Sequence, residues 1–201
     1  MRRLGLLTVV TVSSMGMISA RAAEEPVFSG PQPGETLAPF KVRGVFDEDA
    51  GKELDLVTAA AGKPTLIIFM HQATRPSVAV TRTVLDYAAT RKKDGLATGL
   101  VYLADDATEA EAFLKRARHA LPKETPIGIS TDGAEGPGAY GLNRNVTLTV
   151  LIAREGKVTA NFALVQPSLQ ADVPRILDEL VKLIGGTAPT LEELQRQRRR
   201  K

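Results

Sequence analysis

The chain has 201 residues and not one cysteine. That absence excludes disulfide cross-links, thiolate nucleophiles and any electron transfer by thiol–disulfide exchange, which needs a thiolate to attack a disulfide sulfur. Zinc sites built on cysteine are excluded with them. Only two histidines are present, His71 and His119, far apart in the chain and without clustered carboxylates, so no metal ligand set is legible. The fold must then be held by core burial alone. Also missing is a basic body. The net charge is +3, but Arg2, Arg3 and Arg21 lie in the first 22 residues. Arg196, Arg198, Arg199, Arg200 and Lys201 outweigh Glu192 and Glu193 at the other end. What lies between is slightly acidic, and a nucleic-acid-binding domain is not expected.

At the start of the chain, Arg2 and Arg3 precede a mostly apolar or small stretch from Leu4 to Ala20, and Ala20-Arg21-Ala22 follows as a small-x-small site. This is the layout of a cleaved secretory signal. The apolar run is short and broken by Ser13, Ser14 and Gly16, which disfavours a permanent anchor. The expectation is export, to the periplasm or beyond, with cleavage near Ala22. The predicted organisation is a signal peptide over 1–22, an N-terminal arm over 23–33, a single domain over 34–186 and a basic tail over 187–201.

Within the domain, residues 39–45 alternate apolar with polar and read as a half-buried strand. Asp47-Glu48-Asp49-Ala50-Gly51 reads as a turn, and 52–56 as the returning strand of a hairpin. One or two helical turns follow over 57–61. Residues 65–70 form a continuous apolar run between breakers, suiting a strand covered on both faces. A helix is predicted over 75–93, with Val80, Val84, Tyr87 and Ala88 as its buried stripe. A second core strand spans 96–103. Next comes a helix over 108–120 that includes Ala112, Phe113 and Arg116, then a short strand at 125–129 and a brief helix near 138–142. Residues 147–153 and 158–165 flank Arg154-Glu155-Gly156-Lys157 as an antiparallel hairpin. The last helix is expected to start near Asp172 as N-cap, with Pro174 in its first turn, and to end at Gly185-Gly186. No repeat is apparent. This order predicts an α/β fold: a central mixed sheet flanked by helices, with an N-terminal β-hairpin.

Several local sequences carry a family resemblance. Gly34-Glu35-Thr36-Leu37-Ala38-Pro39-Phe40 is followed by Asp49-Ala50-Gly51-Lys52. Lys63-Pro64 leads into the 65–69 strand. Tyr140-Gly141-Leu142 and Glu155-Gly156-Lys157-Val158 come later, in order. Together they resemble the thioredoxin-like superfamily, in its exported redoxin branch (the TlpA/ResA and peroxiredoxin group), over residues 34–185. The resemblance implies that Thr74-Arg75-Pro76-Ser77 stands in the frame of the redox Cys-x-x-Cys, or Thr74-x-x-Ser77 in that of the peroxiredoxin Thr-x-x-Cys. It also implies that Val146 stands where the family has a cis-proline. A hydroxyl forms no mixed disulfide, so the family's chemistry is not implied. Before a non-proline residue a cis bond costs about 2.5–4 kcal/mol, and a trans peptide is expected at Val146.

Two functional classes follow. In the first, the chain is a binding or scaffold module without thiol chemistry and without cofactor. Its contact face for a protein or peptide partner is the former redox site: His71, Thr74, Arg75, Ser77 and Val146. In the second it is a redoxin-type enzyme acting through a partner's cysteines or non-thiol chemistry. Ser77 beside His71 is then the only nucleophile in view, without an orienting carboxylate or an oxyanion motif. Thr74 and Ser77 also have a plain reading as helix-capping residues, with an open helix N-terminus near Arg75 and His71 as a small anion pocket in the alternative. Asp105-Asp106 reads as a cap and solvated turn, and His119 as a helix-end residue. The charged tail at 191–201 reads as a frayed surface helix, or as a weak tether to an anionic surface.

Overall fold

The computed structural model describes residues 27–199. The expected signal peptide and its cleavage near Ala22 fall outside those residues. Among the described residues no helix is long and apolar enough to cross a membrane.

Seven strands form one sheet: β1 (Val42–Gly44), β2 (Glu53–Leu54), β3 (Thr65–Met70), β4 (Ala97–Tyr102), β5 (Ile127–Ser130), β6 (Leu148–Arg154) and β7 (Lys157–Leu164). They lie in the order β2-β1-β5-β4-β3-β6-β7. The centre β5-β4-β3 is parallel, while β6 and β7 on one side and β1 and β2 on the other are antiparallel additions. Five α-helices accompany it: α1 (Leu56–Ala60), α2 (Arg75–Thr90), α3 (Ala107–Arg116), α4 (Leu169–Ile184) and α5 (Leu191–Arg199). The expected mixed sheet with its N-terminal hairpin is present.

Strand β3 explains the layering. All six of its residues are buried, and side chains alternate across a strand. Leu66, Ile68 and Met70 therefore meet Val80, Val84 and Leu85 of α2, residues of α4, and Ala110 and Leu114 of α3. Ile67 and Phe69 meet the opposite layer, made by Leu56 of α1, Phe40 and Tyr140. Phe40, Phe69 and Tyr140 form a triangle of rings with centroids 5.1–5.5 Å apart. The Tyr140 hydroxyl donates to the Ala38 carbonyl at 2.9 Å, and burial raises its pKa.

Three boundaries differ from expectation. Helix α2 ends at Thr90, and the residues to Asp94 form a 3-10 turn closed by Gly95 at φ 84°. Helix α3 stops at Arg116 and buries Ala110 and Leu114, with Ala112 and Arg116 on the outside. Helix α4 begins three residues before Asp172. Ser168 is its N-cap, accepting from the Ala171 amide, while the Asp172 carboxylate reaches back to the Ser168 amide at 2.7 Å. Both residue types suit an N-cap, and here they form a reciprocal pair one turn apart. Pro174 consequently sits in the second turn.

Residues 29–37 lie along the outer edge of β7. Gly34 N–H donates to the Val158 carbonyl, Val158 N–H to Glu35, and Leu37 N–H to Gly156. The Asn161 amide donates to the carbonyls of Ser29 and Pro31, both at 2.8 Å. The arm expected over 23–33 is thus fastened to the sheet from Ser29 onward.

Candidate functional site

The C-terminal end of β3 delivers His71 to Thr74, and α2 starts immediately after. Thr74 has extended backbone angles (φ −93°, ψ 163°) and is the N-cap. Its hydroxyl accepts from Ser77 N–H at 3.2 Å, and the Ser77 hydroxyl accepts from Thr74 N–H at 2.8 Å, closing a capping box. The Ser77 proton is shared between the carbonyls of Gln72 at 2.7 Å and Thr74 at 3.0 Å. With Pro76 lacking an N–H and Val78 N–H bonded to Thr74, the Arg75 amide is the one first-turn donor without a protein partner among the described residues. A helix end so closed is a poor anion cradle.

Burial divides the candidate residues. Ser77 and Val146 are each 0 % exposed, so neither can touch a partner on this face; they support it from below. The reason differs for each. Ser77 is turned inward by its backbone bonds, and Val146 is an apolar side chain entering the core just before β6. Thr74 and Arg75 are exposed and His71 is half-buried. No cis peptide bond occurs among the described residues, and Val146 follows a trans bond as expected.

His71 is not directed at Ser77. Its Nε2 lies 2.9 Å from the Thr149 hydroxyl, which lies 2.6 Å from the Ser29 hydroxyl, which in turn accepts from Asn143 N–H at 3.0 Å. Each hydroxyl has one proton to give. When Ser29, which has no other acceptor among the described residues, donates to Thr149, the Thr149 proton is directed to Nε2. That arrangement puts the His71 proton on Nδ1, which has no hydrogen-bond partner among the described residues. Burial lowers its pKa to about 4, and a proton on Nε2 would also reverse the chain of donors. The ring is neutral at pH 7.

Sequence reasoning missed Ser29, Asn143 and Thr149, whose partners lie far away in the chain and leave no local signal. It also missed an apolar rim. Among the described residues, the exposed large apolar ones are Val27, Phe28 and Val165. The Phe28 carbonyl accepts from the Asn143 side chain, and that of Val165 from the Thr147 hydroxyl. Thr147 accepts the His71 amide proton at 3.0 Å. His71, Thr147 and Val165 adjoin the paired residues Met70, Leu148 and Leu164 and so share one end of the sheet.

Elsewhere the expectations divide. Asp106 caps α3 by accepting from Thr108 and Glu109 N–H, and Asp105 accepts from Ala134 N–H. His119 lies in a 3-10 turn and is exposed. No group of metal-ligating side chains occurs among the described residues.

No family model matches the sequence, and no curated protein matches it. Solved structures do. One is assigned as the thiol:disulfide interchange protein DsbE of Chlorobium tepidum (19% identity, 77% of this chain and 99% of that one, TM-score 0.59). The exposed lipoprotein thioredoxin Etrx1 of Streptococcus pneumoniae has 19% identity over 73% and 100% of the two chains, with TM-score 0.53. Peroxidoxin BcpB of Mycobacterium tuberculosis has 16% identity over 76% and 97%, also with TM-score 0.53. At these identities the likeness is one of fold.

Proposed function

Starting from a thioredoxin-like fold that contains no cysteine, we propose that this protein is an exported binding module that holds an apolar protein segment at the end of the sheet where related folds carry redox chemistry. The observation that carries this reading is that Phe28 and Val165, both exposed apolar residues, are bonded through their carbonyls to Asn143 and Thr147, and Thr147 in turn accepts from the His71 amide. Exposed apolar residues gathered at one place mark an interaction surface. The free Nδ1–H of His71 and the Arg75 side chain add donors for a partner's carbonyl oxygens. Export rests on Arg2-Arg3, the apolar run to Ala20 and the Ala20-Arg21-Ala22 site. The hydroxyl of Ser77 is consumed in capping, which removes support from an enzyme built on it.

A reduced, carboxymethylated model polypeptide tests the reading, because it is unfolded and free of thiols. Saturable binding by fluorescence anisotropy is expected. The pair Phe28→Ser and Val165→Ser should weaken it at least about tenfold, given roughly 1.5–3 kcal/mol for full burial of each such side chain, with an unchanged circular dichroism spectrum. Absence of binding, or thiol–disulfide or peroxide turnover by the pure metal-free protein, overturns it.

A further inference from the structure

A concavity lies toward the other end of α2. It is a groove of about 490 Å³ bounded by the C-terminal half of α2, the loop after α3 and helix α5, and neither His71, Thr74 nor Arg75 lines it. That size falls within the range of small-molecule sites. Its apolar lining comes from Leu121, Leu169, Leu191 and Leu194, with Tyr87 and Pro122 beside them. Leu191 and Leu194 are the residues that seat α5 on the core, and Thr190 with Glu193 caps that helix.

The polar groups around the groove are mostly satisfied. Thr83 and Thr90 donate their hydroxyl protons to carbonyls of α2, and the Tyr87 hydroxyl accepts from Arg91. Asp86 faces Arg82 at 3.7 Å, and Glu124 faces Lys92 at 3.5 Å. Two cations on different walls, Lys123 in the loop and Arg198 on α5, have no carboxylate partner among the described residues. His119 also lines the groove.

We propose that this groove binds a free amphiphilic monoanion: a carboxylate carried on an apolar alkyl body, such as a medium-chain fatty acid. The apolar lining takes the alkyl body, and Lys123 and Arg198 take the carboxylate. No strand lines the groove, so it offers no sheet edge for β-augmentation by an extended peptide. Asp86 and Glu124 on the rim disfavour ligands of higher negative charge. A bound ligand bridges α2 to α5 and stabilises the folded chain by mass action. None of this depends on the His71 face.

Titration calorimetry of the full chain at low salt with dodecanoate, below its micelle concentration, tests the proposal. One saturable site is expected, with a raised melting temperature. Dodecanol should bind at least about tenfold more weakly, and Lys123→Ala combined with Arg198→Ala should weaken dodecanoate about tenfold while leaving dodecanol unchanged. Leu194→Ser should weaken both. The proposal is overturned by equal affinity for acid and alcohol, by an unaffected double variant, or by no binding. It is equally overturned if anionic phospholipid vesicles capture the chain through the same two cations while dodecanoate fails to compete, since the ligand is then a membrane surface.

Discussion

Replacing Ser77 with alanine separates a capping role from a catalytic one. The side chain is fully buried; it accepts from Thr74 N–H at 2.8 Å and shares its one proton between the carbonyls of Gln72 at 2.7 Å and Thr74 at 3.0 Å. Each such bond contributes about 1 kcal/mol net. These backbone groups belong to exposed residues that water can reach once the hydroxyl is gone, which keeps the loss near that figure. Ser77→Ala should therefore destabilise the fold by about 2 kcal/mol, or about 4–8 °C in Tm for a chain of this size. Thr74→Ala removes the cap on Ser77 N–H and should cost about 1 kcal/mol. Because the two hydroxyls share one box, the double variant should depart from the sum of the singles by at least about 0.5 kcal/mol. Equilibrium urea melts of the four proteins read all of this. The reasoning fails if Ser77→Ala melts within about 0.5 kcal/mol of the wild type, or if it abolishes a turnover that the wild type possesses.

Two further outcomes follow from buried groups. His71, held neutral by burial with a pKa of about 4, has a folded value below the unfolded one of about 6.5. As pH falls from 6.5 the unfolded chain takes up the proton first, so stability declines until about pH 4 and is then flat with respect to this residue. An NMR titration should give a midpoint near 4 and a neutral Nδ1–H tautomer; a midpoint near 6.5 would contradict the hydroxyl chain. Gly44→Ala should destabilise by about 1–3 kcal/mol or more, since an added Cβ would lie 2.3 Å from the Asp49 carbonyl oxygen; a neutral result in a denaturant melt would mean that the β1–β2 turn yields freely.

The parts of the fold that were legible are those whose signal is local. Five apolar residues after Thr65, bounded by breakers and too few for a helix, suit a strand covered on both faces, and β3 is that. Thr74 before Pro76 reads as a cap from residue type alone. Helix α4 was placed late because Ser168 and Asp172 both suit a cap, and only coordinates show that they serve as one pair. The tail was read through its charges. Its helix is seated by just two leucines, Leu191 and Leu194, a pattern too short to stand out among seven charged residues. The hydroxyl chain from Ser29 to His71 joins segments from three parts of the chain, and no spacing rule could have assembled it. Ser77 and Val146 were placed on the contact face because the resemblance aligns them there. Their inward orientation depends on packing, which alignment does not carry.

The segment fastened along β7 also governs how this protein behaves in company. An eight-residue outer strand would otherwise offer its unpaired amides and carbonyls to any passing copy, the route by which sheets join edge to edge into aggregates. Here Gly34, Glu35 and Leu37 occupy those groups near the hairpin turn, and the forked Asn161 amide holds the preceding stretch in place. At the opposite border the strand is only two residues long, too short to template much. The hairpin end of this edge is thus closed by a few hydrogen bonds from the start of the folded region.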